Sequence, residues 1–598
     1  MVLTVQGDYK MKRALSHRFF RKKSNLILFS VILLFTLVRI LIQMKIPPIT
    51  FAGGGVDEHV FVMQATEFIK GNWFGNYNSS TLVKNPTYSF FYILIYKFAI
   101  SYSLALISLY IFAIVLLLIA LAPIIKNKYY RTFAYLFLLY SPVMMDKKFG
   151  LRLYRDALLT PLVFLVLGSV IGLFLYRNKS KWISLLWSIS AGISYLTFYY
   201  LREDSIWLKP FFYVALIITL LFVLFSKFNI KAKLIHITIL LIPILIFQGG
   251  TSLLSYQNLK HYGIYAVNDH TQTSFGNVIT DLVSIDDGTS QTYIWVHESA
   301  LRQAMEVSPT LKKLEEQFDS FYIPNSTLTT KIDSESQAEI FSGKIVWLLR
   351  LAVERAGLGY KQEILVNGET VKGGKATNDF YTAVHKELTE AFKVGQLKKR
   401  SAGIAVSQSA PTKTIASILE NVIPKMLYTA KETIMYTEYY VDNGISQVSG
   451  SVDAVREIET LINTPLNYPI GSAQSAHNRP VTAMIRRINS IMSIYKYSSI
   501  LVTILSMSGF AYAVISMFRK AYEDKFFAIS VISLGLFLSY IILLLGVSWA
   551  YSWVSGETMN RLYFYSSGTI PVLQLIYILC GYSFIEMTLN LIKKLKIK

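Results

Sequence analysis

The stretch "RFFRKKSNLILFSVILLFTLVRILIQMKIPP", Arg18–Pro48, sets two expectations at once. A basic cluster is followed by an apolar run of about 20 residues, long enough for a helix to cross the hydrocarbon core of a bilayer. The run is too long for the apolar centre of a cleavable leader, and no small-residue cleavage site follows it. It therefore reads as a retained anchor. Further runs of the same kind bring the count to ten predicted spans: 26–46, 102–125, 131–146, 157–176, 182–200, 206–226, 234–255, 498–518, 526–552 and 564–590. With 53% hydrophobic and 16% charged residues, the 598-residue chain belongs with polytopic membrane proteins, not soluble ones.

The net charge of +22 does not point to nucleic acid. No basic folded module is present, and much of the Lys and Arg lies in short loops between runs, where it sets orientation. The segments "RFFRKK", "KNKYYR", "RNKSK", "KFNIKAK", "FRKAYEDK" and "KKLKIK" fall on alternate sides of the predicted spans and are all basic. They are expected in the cytoplasm, together with both termini. The single cysteine, Cys580, allows no intrachain disulfide. A large external region without disulfides fits a bacterial envelope.

Four regions follow: a basic N-terminus, 1–25; an N-terminal transmembrane module, 26–255; an external domain, 256–495; and a C-terminal transmembrane module, 496–598. The fold expected is a polytopic α-helical membrane protein with a large, mainly helical external domain. Within that domain "KIVWLLRLAVERAGLG" and "ATNDFYTAVHKELTEAFKVGQLKKR" read as amphipathic helices, the first stopped by glycine. The first external loop, 47–101, contains "GGGVDEHVFVMQATEFIKGNWFG", Gly53–Gly75. Val60, Phe61, Met63, Ala65, Phe68 and Ile69 roughly follow helical spacing, so a helix lying along the membrane surface is expected there. Three glycines ahead of Asp57 and Glu58 would let the chain turn back over the bundle.

Charge is scarce inside the predicted spans, where Arg39, Lys209 and Glu586 are the exceptions. An ionised side chain at mid-bilayer costs about 2.5–3.5 kcal/mol, so a relay crossing the membrane is not expected. The outer rim differs. The turn "DKKFGLRLYRDALLTPL" holds Lys147, Lys148, Arg152 and Arg155 against Asp146 and Asp156. Basic excess on the outer face runs against the positive-inside bias, and a bound anion would offset it. Pairing with neighbours or with lipid phosphates is the alternative. The next outer turn, "YYLREDSIWLKP", carries Arg202, Glu203 and Asp204, which read either as part of a site or as a polar cap on two spans. In the last, "SWVSGETMNRLYFYSS", Arg561 serves a site or snorkels to the interface. A ring of arginines and carboxylates at one membrane depth suits a substrate that is half lipid and half polar. The guanidinium fork can bond two phosphate oxygens, and a carboxylate can act as a base.

These residues resemble the GT-C superfamily of membrane glycosyltransferases, in particular the protein O-mannosyltransferase and aminoarabinose-transferase group. That group carries an acid in the first external loop, an amphipathic helix ending in Gly, and a Lys-x-Pro stretch opening the next helix. The matching positions are Asp57, Glu58, Gly71, Lys84 and Pro86. "RLYRDALLTPL" and "LREDSIWLKP" also resemble patterns of large bacterial membrane proteins related to the group. The likeness covers about 45–255 and is looser over 496–598; "VKNPTYSFF" is less proline-rich than the usual pattern.

The resemblance implies a polyprenyl-phosphate-linked sugar as donor and a hydroxyl acceptor on the outer face: an envelope glycan, a teichoic acid, a lipid-linked glycan or a protein. Asp57 or Glu58 would be the base. Lys84, Arg152, Arg155, Asp156, Arg202, Glu203, Asp204 and Arg561 form the expected substrate-binding set. Phosphate leaves as a stable anion, so no general acid is required on that side, and a single displacement inverts the anomeric centre. No resident cofactor is expected. His59 beside two adjacent acids does not make a regular metal site. Two other classes compete. A lipid-linked glycan flippase should carry its charges along a path inside the bundle, and a non-catalytic envelope-glycan-binding protein should not need the rim acids.

Overall fold

The computed structural model describes residues 23–50, 56–288, 296–322, 346–366, 368–400, 403–404, 412–441, 451–466, 479–519 and 524–595. The protein is a polytopic helical membrane protein. Among the described residues, eight helices are long and apolar enough to cross a bilayer: Lys23–Lys45, Tyr102–Leu121, Asp156–Leu175, Ser205–Leu224, Ile230–Tyr262, Ala483–Arg519, Lys525–Ala550 and Thr569–Leu595. Two of the ten predicted spans differ. The run 182–200 forms a helix, Lys181–Tyr199, whose four serines and lysine dilute its hydropathy. The run 131–146 makes only Lys128–Leu139, followed by a 3-10 turn at Pro142–Met144.

The physical reason for that early stop is legible. Pro142 cannot continue the helix, and the carbonyls released at its end meet donors inside the bundle. The Arg39 guanidinium, fully buried, donates to Leu139 O at 3.3 Å and Met144 O at 2.9 Å, and to Gln43 Oε1 at 2.9 Å. The Tyr110 hydroxyl donates to Leu138 O. Irregular backbone at membrane depth is tolerated only when its polar groups are satisfied by protein in this way. Gly150 completes the turn: its N–H bonds Val143 O at 3.1 Å, and a Cβ there would lie 2.3 Å from Met144 O. Beyond it, Ile49 pairs in parallel with Arg152, through Ile49 N to Leu151 O and Leu153 N to Ile49 O, both 2.8 Å.

Asp57 and Glu58 open a helix, Val56–Ile69, where carboxylates suit the positive end of the dipole. Gly53–Gly55 lie outside the described residues. The apolar face of this helix is covered by protein instead of lying against lipid. Phe61 is fully buried, edge-on to Tyr88 at 5.3 Å and Tyr154 at 6.1 Å.

The chain 71–86 then crosses between two cores. Below it is the large core of the bundle; above it, described residues between Tyr262 and Leu397 make a separate one. Tyr77 and Leu82 of the loop insert into that upper core, where Tyr77 stacks on Tyr360 at 5.7 Å and lies 5.4 Å from Tyr262. Arg350, on a helix at 346–355, is buried and donates to Ser79 O and Thr81 O, both at 2.7 Å, while pairing with Asp269. Asp269 also accepts from the Tyr360 hydroxyl at 2.9 Å and through its own N–H bonds Leu82 O at 2.9 Å. The predicted amphipathic helices lie at 346–355 and Gly373–Lys393. A short hairpin, Glu363–Val366 with Glu369–Lys372, sits between them. Farther along, Tyr436, Tyr439, Val455 and Ile458 belong to the core of the bundle, so the chain has returned to the membrane module well before 495.

Three expected outcomes follow from this packing. Gly150→Ala should destabilise by about 1–3 kcal/mol, because the clash is with backbone. Gly249→Ala, in a helix with open space around it, should leave the melting temperature of the detergent-solubilised protein unchanged or slightly raised. Arg350→Leu strands a buried carboxylate and should destabilise the upper domain by about 3–5 kcal/mol. Hydrogen exchange at 79–85 and 262–284 would report it, and Arg350→Leu combined with Asp269→Asn should recover part of the loss.

Candidate active site

Three turns and one helix start converge at the end of the bundle beneath the upper domain. Asp57 pairs with Lys84 Nζ at 2.8 Å and accepts from the Tyr154 hydroxyl at 3.0 Å. Glu58 pairs with Arg152 Nε at 2.6 Å. Arg155 pairs with Glu203 at 2.5 Å, and Arg202 with Asp156 at 2.5 Å and Asp204 at 2.6 Å. The two halves are one cluster. Tyr154 is flanked by the Arg152 guanidinium at 4.7 Å and that of Arg155 at 5.4 Å, with its hydroxyl on Asp57. Arg155 also lies within electrostatic reach of Asp57 and Asp156.

The local sequence explains the placement. The parallel pairing at Ile49 holds Arg152 beside the helix that starts with Asp57 and Glu58. Arg155 immediately precedes the helix Asp156–Leu175, and Asp156 sits in its first turn. Lys84 and Asn85 precede Pro86 at the start of Thr87–Phe98, where the Asn85 N–H bonds Glu203 Oε1 at 3.3 Å. Arg561 lies on the short helix Asn560–Tyr565 with its guanidinium 5.5 Å over the Trp553 ring. The same helix reaches the cluster through Tyr565, 5.9 Å from the Arg202 guanidinium.

The two neighbouring acids occupy different surroundings. The Asp57 side chain is 39% exposed and that of Glu58 3%, so Asp57 alone of the two can meet a ligand without rearrangement. Burial alone would raise the Glu203 carboxyl, but the Arg155 guanidinium and the Lys84 ammonium outweigh it and bring it down to about 2. Arg155 is buried and held protonated by Glu203, Tyr154, Asp156 and Asp57 against the desolvation that opposes its charge. Its Nε is buried with no hydrogen-bond partner among the described residues. A buried donor left unpaired costs about 1–3 kcal/mol, and such a group beside a cluster of charges marks where a ligand oxygen can bind.

At the far side of the same turn the Asp146 carboxylate is buried and accepts from Lys148 N at 2.7 Å and Tyr440 N at 3.1 Å. Burial pushes it up to about 7 against those hydrogen bonds and the adjacent lysines. Lys147 and Lys148 turn onto aromatic rings, Tyr440 at 4.7 Å and Tyr563 at 5.1 Å. Among the described residues no three His, Cys, Asp or Glu side chains gather as a metal-binding group.

Of the predicted residues, Asp57, Glu58, Lys84, Arg152, Arg155, Asp156, Arg202, Glu203 and Asp204 meet in one cluster. Tyr154 and Asn85 are the partners that sequence reading passed over. Tyr154 was signalled only by lying between two arginines in "RLYRD", where aromatic residues are common enough to escape notice.

No family model and no curated protein matches this chain. Among solved structures it is similar to the archaeal oligosaccharyltransferase AglB from Archaeoglobus fulgidus, in complex with an inhibitory peptide and a dolichol-phosphate. The identity is 12% and the TM-score 0.37, with 95% of this chain and 51% of the archaeal chain covered. This chain thus spans about half the length of that protein. It is similar too to ArnT from Cupriavidus metallidurans in the apo state, at 12% identity and a TM-score of 0.29, covering 87% of this chain and 78% of the other.

The Glu203 carboxyl sets a pH dependence. Its folded value, about 2, lies below the roughly 4.3 of an unfolded glutamate, so the stability it contributes is present above pH ~4.3 and lost as pH falls toward 2. Glu203→Gln should therefore lower the melting temperature at pH 7 and flatten its fall between pH 4.5 and 2.5, as measured by differential scanning fluorimetry.

Proposed function

We propose that the protein transfers a sugar from a polyprenyl-phosphate-linked donor to an acceptor hydroxyl, with the cluster on the outer face of a bacterial plasma membrane. The observation that carries this reading is the juxtaposition of a half-exposed carboxylate, Asp57, with the unpartnered, buried Nε of Arg155. A base and an anion-binding donor in one place are what displacement at an anomeric carbon requires when the leaving group is a phosphate.

In the reaction the acceptor oxygen attacks the anomeric carbon as Asp57 takes the hydroxyl proton. The bond from that carbon to the phosphate oxygen breaks, its electron pair stays on the phosphate, and configuration inverts. Arg155 donates to the departing phosphate through Nε. Lys84 and the Tyr154 hydroxyl hold the Asp57 carboxylate in place. Glu58, buried against Arg152, orients the start of the helix and takes no proton. Arg202, with Asp156 and Asp204, braces the turn beside Arg155. No resident cofactor enters these steps. The acceptor is a glycan, teichoic acid, lipid-linked glycan or protein of the envelope.

Two variants test the assignment in living cells. Asp57→Asn should remove one specific sugar decoration from the envelope, a loss of at least about 100-fold, with the protein still folded and inserted. Glu58→Gln should act mainly through stability, lowering the amount of protein more than the activity per molecule. Sugar composition by mass spectrometry, normalised to protein in the membrane fraction, reads both. Full transfer by the Asp57→Asn protein would sink the mechanism.

A further inference from the structure

Among the described residues, the upper domain reaches the edge of the cluster at the segment Asn268–His270. Asn268 Nδ2 donates to Val83 O and to Asn85 Oδ1, both at 3.2 Å, and the Asp269 N–H bonds Leu82 O at 2.9 Å. Asn85 in turn bonds Glu203, the partner of Arg155. Lys84, the partner of Asp57, therefore lies inside a stretch that the upper domain grips on both sides. The next residue, His270, has its ring edge-on to Phe275 at 5.1 Å, and its imidazole nitrogens have no hydrogen-bond partner among the described residues.

The charges around this ring come from every side. Arg350 and Asp269 belong to the upper domain, and Glu203 and Lys84 to the bundle. Burial, then Arg350, drives its pKa down to about 4, with Asp269 and Glu203 opposing and Lys84 adding to the fall. At neutral pH the ring is thus an uncharged imidazole with one N–H and one lone pair. Such a group makes two directional hydrogen bonds to a hydroxyl-rich molecule without attracting phosphate.

We infer that His270 is the acceptor-facing wall of the site, binding a hydroxyl of the incoming acceptor between the upper domain and the Lys84–Glu203 edge of the cluster. The inference rests on the glycosyl-transfer reading and gives the upper domain its part in it. The acceptor class is a polyhydroxylated, uncharged surface such as a glycan end. The phosphate of the donor is left to the arginine side. Because Asn268 and Asp269 clamp the same loop that holds Lys84, the acceptor wall and the base are fixed in register by one set of backbone contacts.

The test uses the full chain in its own membrane and compares His270→Gln, His270→Leu and Asp57→Asn, with envelope sugar composition as the readout. Glutamine retains a donor and an acceptor near the position of Nε2, whereas leucine has neither. His270→Leu should reduce the decoration at least tenfold and His270→Gln should stay within about threefold of the unaltered protein. Melting temperature and hydrogen exchange at 79–85 should be unchanged in both. If the leucine protein melts lower, His270→Ala takes its place, removing the ring without adding apolar bulk. Decoration retained by the leucine or alanine protein overturns the inference, and so does a glutamine protein as defective as either. Loss in Asp57→Asn with no loss at His270 leaves the transfer reading standing alone. Retention in Asp57→Asn overturns the transfer reading, and this inference with it.

Discussion

Between Leu139 and Asp156 the chain leaves helical geometry within an apolar bundle, and each backbone group freed there has to find a partner in the protein. Arg39 takes the carbonyls of Leu139 and Met144, Gly150 closes the turn on Val143, and Ile49 pairs with Leu151 and Leu153. From this stretch project Arg152, Tyr154 and Arg155, with Asp156 directly after it. A regular helix would have sent those side chains around a cylinder at 100° intervals and scattered them between lipid and core. The satisfied irregular turn aims them at one small volume instead. Arg39, which looks in the sequence like a charge stranded in a span, is a fixed donor that makes the irregular geometry affordable.

The bundle was legible because lipid imposes a simple code: about 20 apolar residues per crossing, basic residues in alternate loops. It failed where the code does not apply. The run 131–146 is apolar enough to suggest a crossing, yet Pro142 and its buried donors break it after Leu139. The run 182–200 does form a helix, but a serine-rich one, packed against Asp156–Leu175 and Ile230–Tyr262. The face of Val56–Ile69 expected against lipid is covered by Tyr88 and Tyr154, and periodicity cannot distinguish those two apolar surroundings.

For the cluster, sequence offered charge type and membrane depth, which were enough to gather the acids and arginines. It offered nothing about pairing. That Arg155 takes Glu203 while Arg202 takes Asp156 depends on which way two turns face. His270 and Arg350 were out of reach for another reason. Asn268, two residues before His270, and Arg350 bond loop residues 183 and 271 positions earlier, and no periodic pattern links a domain to a loop it grips.

The balance of charge at the cluster has a consequence for what it will hold. Lys84, Arg152, Arg155 and Arg202 each face a carboxylate at 2.8 Å or closer. A site with surplus cations would fill with whatever small anion the medium offered. This one behaves as an exchanger: an anion gains a full grip on a guanidinium only by persuading a carboxylate to let go. That toll falls equally on every anion, and a ligand with a long apolar anchor has the most binding free energy from elsewhere with which to meet it. Under the proposed glycosyl-transfer reading, the matched pairs disfavour free phosphate relative to a phosphate carried on a lipid.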